Sequence, residues 1–147
     1  MSTIDVRLLG PNGLAVLDRV AEGVFDGPVD PRWARRFFAD ARHHLVVAVD
    51  DGVVVGMASA VDYVHPDKAP QLFINELAVA PTHWRRGIAA RMLGELLALG
   101  RTLGCTEAWV GTEESNAPAR RLYESGGGVA EPFILYAFRL DAHQELG

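Results

Sequence analysis

A mixed α/β fold, with one central twisted mixed sheet flanked by helices on both faces, is predicted for this 147-residue chain. Three observations predict it. Short β-rich runs alternate with helical spacings along the whole length. An Asp-Gly pair separates two of those runs, the signature of a hairpin. A nearly continuous apolar run, "LFINELAV" (72–79), precedes the strongest amphipathic stretch, as for a strand covered on both faces that feeds a helix. The length suits a single domain over 1–147, with no internal repeat, low-complexity tract or long linker.

The elements follow in order. "IDVRLL" (Ile4 to Leu9) reads as a first strand, broken by Gly10, Pro11, Asn12 and Gly13. From Leu14, apolar residues at Leu17, Val20, Ala21 and Val24 have helical spacing. Asp30 caps a second helix with Pro31 at its first position, and Trp33, Phe37 and Ala41 form its buried stripe. "HLVVAV" and "VVVGMASAV" make the hairpin around "DDG", and 62–71 reads as a polar connector with two prolines. After "LFINELAV", Gly87 to Leu103 is the best helix: Ile88, Met92 and Leu96 form one row, Ala89, Leu93 and Leu97 another, and Gly104 stops it. "CTEAWVGT" is a strand, "NAPARRLYES" a short helix capped by Asn116 or Ser115, and "PFILYAFRL" the last strand.

Composition excludes several classes. Hydrophobic residues are 49% and charged residues 22%, a globular profile. Fourteen Lys+Arg against 19 Asp+Glu give a net charge of −5, which argues against nucleic acid as a partner and fits a cationic or neutral one better. The lone Cys105 allows no disulfide framework and reads as a small buried hydrophobe. The first residues lack a signal-peptide pattern and no run reaches 18 apolar residues, so a cytoplasmic protein without a membrane partner is expected. The five histidines are dispersed and show no ligand spacing, so no metal is expected.

The stretch "HWRRGIAARML" (83–93) carries the functional signal. A glycine at a strand–helix junction lets a ligand approach the backbone. The helix start offers unpaired N–H groups and a partial positive charge, which suit phosphate oxygens. Arg85, Arg86, Gly87, Ile88, Ala89 and Ala90 would form this turn; a helix that merely starts with solvated arginines is the plainer reading. GxxxxGK[ST] and GxGxxG are both absent, which leaves a P-loop or Rossmann site unsupported.

Trp84-Arg85-Arg86-Gly87-Ile88-Ala89 resembles the Q/R-x-x-G-x-G/A motif of the GCN5-related N-acetyltransferase (GNAT) superfamily, with Trp84 where Gln or Arg is usual. "NAPARRLYESGG", with Asn116, Ala119, Leu122, Tyr123 and Gly127, is similar to the family's second motif. The resemblance runs from about Ile4 to Leu140 and implies the GNAT acyl-CoA N-acyltransferase fold. It further implies an acetyl-CoA-dependent N-acetyltransferase acting by direct attack in a ternary complex. "INELAVAPTHWRRGIA" looks like the gentamicin-type aminoglycoside 3-N-acetyltransferases, which implies an aminoglycoside acceptor, its 3-amino group, and antibiotic resistance.

The resemblance assigns acetyl-CoA to Leu77, Ala78, Val79, Arg85, Arg86, Gly87, Ile88, Ala89, Ala90, Asn116, Ala119 and Tyr123. Glu76 is the candidate base, since an alkylammonium of pKa about 10 must lose a proton before it attacks; the alternative is that it orients a polycation or pairs with an arginine. Tyr123 is the candidate acid for the departing thiolate, against a core tyrosine. The N–H of Val79 is the candidate donor to the thioester carbonyl. Asp26, Asp30, Glu76 and Glu113 are candidate acceptor contacts, with Asp62 and Glu114 adding negative charge to the cleft. Trp109 is left between a neighbouring molecule and the sheet's other face. A homodimer is expected, with "FILYAFRL" contributing. Competing readings are a GNAT enzyme for another amine (a protein N-terminus, lysine, polyamine or metabolite) and a non-catalytic acyl-CoA-binding sensor.

Overall fold

The computed structural model describes residues 3–141. Their strands form one sheet in the order β1 (Asp5–Leu8), β2 (His43–Asp50), β3 (Val53–His65), β4 (Lys68–Val79) and β5 (Glu107–Trp109). The first four are antiparallel neighbours, and β5 runs parallel to β4. The helices are α1 (Pro31–Ala39), α2 (Ile88–Thr102) and α3 (Ala117–Ser125).

The β2–β3 turn is built as its sequence demands. Asp51 (φ 49°) and Gly52 (φ 77°) both take the left-handed conformation, which fits the twist of the paired strands. Val46, Val47 and Ala48 are each fully buried, so β2 is covered on both faces. A Cβ on Gly56 would meet the Met92 side chain at 3.1 Å, so α2 lies on the face that Gly56, Ala58 and Ala60 share. Phe37 of α1 meets His43 on the opposite face, with ring centroids 5.3 Å apart. On α2, Ile88, Met92, Leu93, Leu96 and Gly100 turn into the core, as the spacing predicts.

Four expectations need correction. The apolar spacing from Leu14 to Val24 does not make an α-helix. A 3-10 turn covers Gly13–Asp18, after which the chain extends and bridges Val20 to Val54, with Ala21 N–H donating to the Val54 carbonyl at 2.9 Å. Leu17, in the 3-10 turn, and Val24, in the bend after the bridge, are buried all the same. On α1 the buried stripe is Ala34 flanked by Phe37 and Phe38; Ala41 is exposed, and Trp33, 56% exposed, lies against the guanidiniums of Arg32 and Arg36. The polar connector at 62–71 is mostly strand: β3 runs to His65 and β4 begins at Lys68, because Tyr63, His65 and Gln71 pair across the hairpin. "PFILYAFRL" forms no strand. Residues 128–139 carry no regular structure and form no ladder with the strands of the described residues.

Candidate active site

The site begins at an irregularity in β4. Across β3 and β4, Ser59 faces Glu76 but Ala60 faces Ile74, so Asn75 is an extra, unpaired residue. Such a bulge bends the strand and re-aims the next side chains. Asn75 and Glu76 are accordingly both exposed, where strict alternation would bury one. Pairing with β5 ends just before, at Phe73 opposite Trp109. Beyond it, Ile74–Val79 has a partner on the β3 side only. The bulge was not read from the sequence; the polar pair Asn75-Glu76 inside an apolar run was its signal.

Main-chain geometry sets what this open edge offers. Ala80 N–H donates to the Val55 carbonyl at 2.8 Å, so it points at β3. Main-chain groups alternate sides along a strand, so those of Ala78 also point at β3 while those of Leu77 and Val79 face the open edge. The Val79 carbonyl is taken by the Trp84 indole N–H at 2.7 Å. The Val79 N–H is left facing the opening, where a strand-like amide chain can pair with it. Trp84, at the position where the resembled motif has Gln or Arg, thus ties the turn back to the end of β4.

The turn between β4 and α2 is tied down. Pro81–His83 make one 3-10 turn. The His83 imidazole bridges Thr82 Oγ1 (2.8 Å, at Nδ1) and the Asp50 carboxylate (2.7 Å, at Nε2). Both His83 and Asp50 are largely buried. Arg85 (φ 62°) and Gly87 (φ 76°) then take left-handed conformations, which aim the chain into α2. Gly87 stands at the helix cap with no side-chain hydrogen bond to the first turn. The N–H groups of Ile88, Ala89 and Ala90 precede the first intrahelical bond, Arg91 N–H to the Gly87 carbonyl at 3.2 Å. A Cβ built on Gly87 meets nothing within 4 Å, so the space before these amides is open. Arg85 and Arg86 are exposed beside it.

Tyr123 lies on α3, half-buried against the core with Leu122. Burial raises its phenol pKa above the usual value, so the proton stays on the oxygen at neutral pH. Asn116 caps α3, accepting from Ala119 N–H at 3.2 Å. The carboxamide and the Ala119 amide assigned to the cosubstrate thus engage one another.

Glu76 projects on the sheet face away from α2, as Ser59, Val61 and Phe73 do. Among the described residues it pairs with no arginine. Trp109 resolves onto this same face. It stacks on Phe73 with centroids 4.3 Å apart and donates from its indole to the Tyr63 hydroxyl at 2.6 Å. Tyr63 donates in turn to Gln71 at 3.2 Å. An aromatic shelf, partly solvent-facing, therefore shares the exposed face with the carboxylate; Tyr63 and Phe73 were not singled out from sequence.

The acidic candidates separate. Asp30 accepts from Arg32 N–H at 2.9 Å and pairs with its guanidinium at 3.0 Å, which lowers the carboxyl's pKa and commits it to capping α1. Asp62 is held by His44 at 2.6 Å. Asp26 and Glu113 remain exposed in loops. Burial raises the Cys105 thiol, in keeping with a packing role. Among the described residues no cluster of three or more His, Cys, Asp or Glu could hold a metal ion, and no helix is long and apolar enough to cross a membrane.

The open edge of β4 suits an extended amide chain, and the uncapped start of α2 suits a phosphate. Comparison with known proteins gives the family. Residues 16–127 match the model of the Acetyltransferase (GNAT) family, and the chain belongs to it. Acetyl-CoA is the cosubstrate that membership carries. The chain is 30% identical over 98 residues to the aminoglycoside N(6')-acetyltransferase type 1 of Salmonella typhimurium, covering 63% of this chain and 68% of that one. Among solved structures it is similar to an aminoglycoside acetyltransferase from an uncultured soil metagenomic sample, with 26% identity, TM-score 0.79, and 95% and 99% of the two chains covered. It shares its fold with AAC(6')-Iy bound to a CoA–acetylneamine bisubstrate analogue, at 24% identity, TM-score 0.75, and coverage of 94% and 99%. The relatives that carry a position are of the 6' type, so the expected kinship with 3-N enzymes is not supported.

Proposed function

We propose that the protein is an aminoglycoside N-acetyltransferase that transfers the acetyl group of acetyl-CoA to a 6'-amine. The observation that carries this reading is the open edge of β4, which leads through the Pro81–His83 turn into the uncapped start of α2 and leaves Glu76 exposed on the strand that borders it. Leu77 and Val79 pair with the amides of the pantetheine arm, and the diphosphate rests on the amides of Gly87 to Ala90. The Val79 N–H polarises the thioester carbonyl. Glu76 takes the ammonium proton, directly or through water, and the neutral amine attacks. The thiolate leaves as Tyr123 supplies a proton. Holding both substrates together provides the orientation, and no covalent enzyme intermediate is required.

The acceptor is supported by the names of the relatives and by charge. Glu76, Asp26 and Glu113 are exposed carboxylates in a chain of net charge −5, which attracts a polycationic sugar. The 6' position follows the relatives; the 3-amine is the alternative that product analysis separates. The test is CoA thiol release with acetyl-CoA and sisomicin, gentamicin, kanamycin, spermidine or peptides, with the product's acetylated nitrogen located by NMR. Turnover on aminoglycosides with a 6'-acetamide product is expected. Turnover on peptides or spermidine alone, or CoA binding without turnover, overturns the reading. Glu76→Gln should lower kcat by about 10²-fold with little change in KM for acetyl-CoA. An unchanged kcat would leave Glu76 without a role in proton removal.

A further inference from the structure

We propose that, on the reading of the α2 start as the diphosphate site, Asp50 and His83 are a positioning pair for coenzyme A. Asp50, at the end of β2, holds His83 and through it the turn that aims the first amides of α2. Neither side chain needs to touch the cosubstrate, because each is engaged by the other.

The turn needs an outside anchor. Ala80 is fixed to β3 by its N–H on the Val55 carbonyl at 2.8 Å, and Arg91 begins the ladder of α2 by donating to Gly87. Between them the main-chain bonds are local: His83 N–H to the Ala80 carbonyl at 2.8 Å and Trp84 N–H to the Pro81 carbonyl at 3.4 Å. The same span holds two left-handed residues, and Arg85 carries a side chain that disfavours that conformation. A span tied so locally has several conformations open to it. Only those that converge the N–H groups of Ile88, Ala89 and Ala90 suit a diphosphate.

Side chains supply the anchor. Trp84 reaches back to Val79, on the strand that the turn itself continues. His83 crosses to another strand. Its Nε2–H donates to the Asp50 carboxylate, which has no hydrogen to give, while the Thr82 hydroxyl engages Nδ1. With both nitrogens engaged, the ring cannot turn without breaking a bond. The His83 and Asp50 side chains are 16% and 15% exposed, so little water competes for their contact.

The other end of the anchor is firm. Asp50 pairs with Val53 in the hairpin, beside the left-handed Asp51 and Gly52. Ala48 faces Gly56 but Val49 faces Val54, so Val55 is an extra residue in β3. Such a bulge bends the hairpin end. Its extra residue is the one whose carbonyl holds Ala80. One hairpin therefore fixes the turn twice: Val55 sets where it begins and Asp50 holds its middle. Amides ordered in advance need no ordering at the moment of binding, so the pair acts on affinity rather than on the chemical step.

The test is calorimetric CoA affinity, with the KM for acetyl-CoA read against kcat on sisomicin, in variants shown to be folded by circular dichroism. Calorimetry needs no acceptor, so it stands whichever amine is acetylated. Asp50→Ala should weaken CoA binding about tenfold and raise the acetyl-CoA KM alike, with kcat at saturation within about two-fold. Asp50→Asn keeps an acceptor for Nε2–H and should recover most of the affinity. His83→Gln places an amide nitrogen where Nε2 stood and should do the same. His83→Asn cannot reach Asp50 and should lose about tenfold. The two positions are separate probes, so one that fails to fold leaves the other to decide. Asp50→Ala combined with His83→Asn should be no worse than either alone. Normal affinity in folded Asp50→Ala or His83→Asn overturns the proposal. So do losses that multiply in the double variant, a fall confined to kcat, or an Asp50→Asn variant as weak as Asp50→Ala. Gly87→Val distinguishes failure of the pair from failure of the site: weak CoA binding there with normal binding in Asp50→Ala removes the pair alone, and normal binding in both removes the site.

Discussion

The starts of α3 and α2 solve one problem in opposite ways. Both helices leave N–H groups without an intrahelical acceptor. At α3, Asn116 supplies an acceptor to Ala119 N–H, and Pro118 removes one donor altogether. α1 follows the same scheme with Asp30 and Pro31. At α2 neither device is present: Gly87 has no side chain to offer, and Ile88, Ala89 and Ala90 keep their donors. The left-handed φ of Gly87 holds the approach open. A helix start that is stable only through solvent or ligand costs folding energy that a capped one does not. The comparison teaches that α1 and α3 are finished by the chain itself, whereas α2 leaves its first amides open to a ligand.

The largest effect should come from closing that start. Gly87→Val places a β-branched side chain at positive φ and directs its Cβ into the open space. Backbone strain of about 1–2 kcal/mol is expected. CoA affinity should fall about 100-fold by calorimetry, about 2.7 kcal/mol. A folded Gly87→Val protein with normal CoA affinity would move the diphosphate elsewhere.

Next in size is Tyr123, on the finished helix and half-buried against the core. Tyr123→Phe keeps the packing and removes the proton donor, so kcat should fall about 10- to 100-fold while the CoA Kd stays within a few-fold. Burial raises the phenol's pKa, so its neutral form persists above pH 10, and a decline of kcat from its ionisation should begin only there. Loss of that alkaline limb in Tyr123→Phe would tie it to this hydroxyl. An unchanged rate would give the leaving-group proton to water.

Asn116→Ala removes the cap of α3 and should lower stability by about 1 kcal/mol in denaturant unfolding. Asn116→Asp should recover it, since a carboxylate accepts the same N–H and favours a helix start. If Asn116→Asp instead restores stability while CoA affinity drops tenfold, the amide nitrogen contacts the cosubstrate directly and the two helix starts differ less than their geometry suggests.

What sequence made legible follows the range of the forces involved. The Asp51-Gly52 turn, the buried rows of α2 and the glycine before it are set by local conformational demands, and each is found where its residues put it. Glu76 was placed on the right strand by its neighbours. Its exposure depends on the Asn75 bulge, a register choice made between β3 and β4. Val20 satisfies a helical period yet bridges Val54, because an edge of β3 was available to it. Trp33 is apolar but lies outside the core against the Arg32 and Arg36 guanidiniums, while Phe37 and Phe38 pack against the core. Asp30 illustrates the converse: the sequence gives it two roles, capping and acceptor binding, and the Arg32 contacts occupy it with the first. "PFILYAFRL" has the composition of a strand, yet it forms no ladder with the described strands, and composition does not say whether a partner edge is within reach.

The smallest expected effect probes the one departure from the family pattern. Trp84 stands ahead of the open helix start, and its side chain reaches back to β4 to hold the Val79 carbonyl. That contact steadies the Val79–Ala80 peptide, whose own N–H donates to Val55 on β3, and so supports the strand one peptide beyond the Val79 N–H. Trp84→Phe retains an aromatic ring and loses the donor. One hydrogen bond at an exposed site contributes about 0.5–1.5 kcal/mol. The loss should therefore appear as a drop of a few-fold in kcat, with CoA affinity nearly unchanged, because the diphosphate's amides lie beyond the turn. Trp84→Gln restores a side-chain donor of the kind the family carries and should recover part of the rate. A large fall in CoA affinity in Trp84→Phe would instead make the indole part of the diphosphate cradle, and the distinction between a strand that orients and a helix that binds would not hold at this residue.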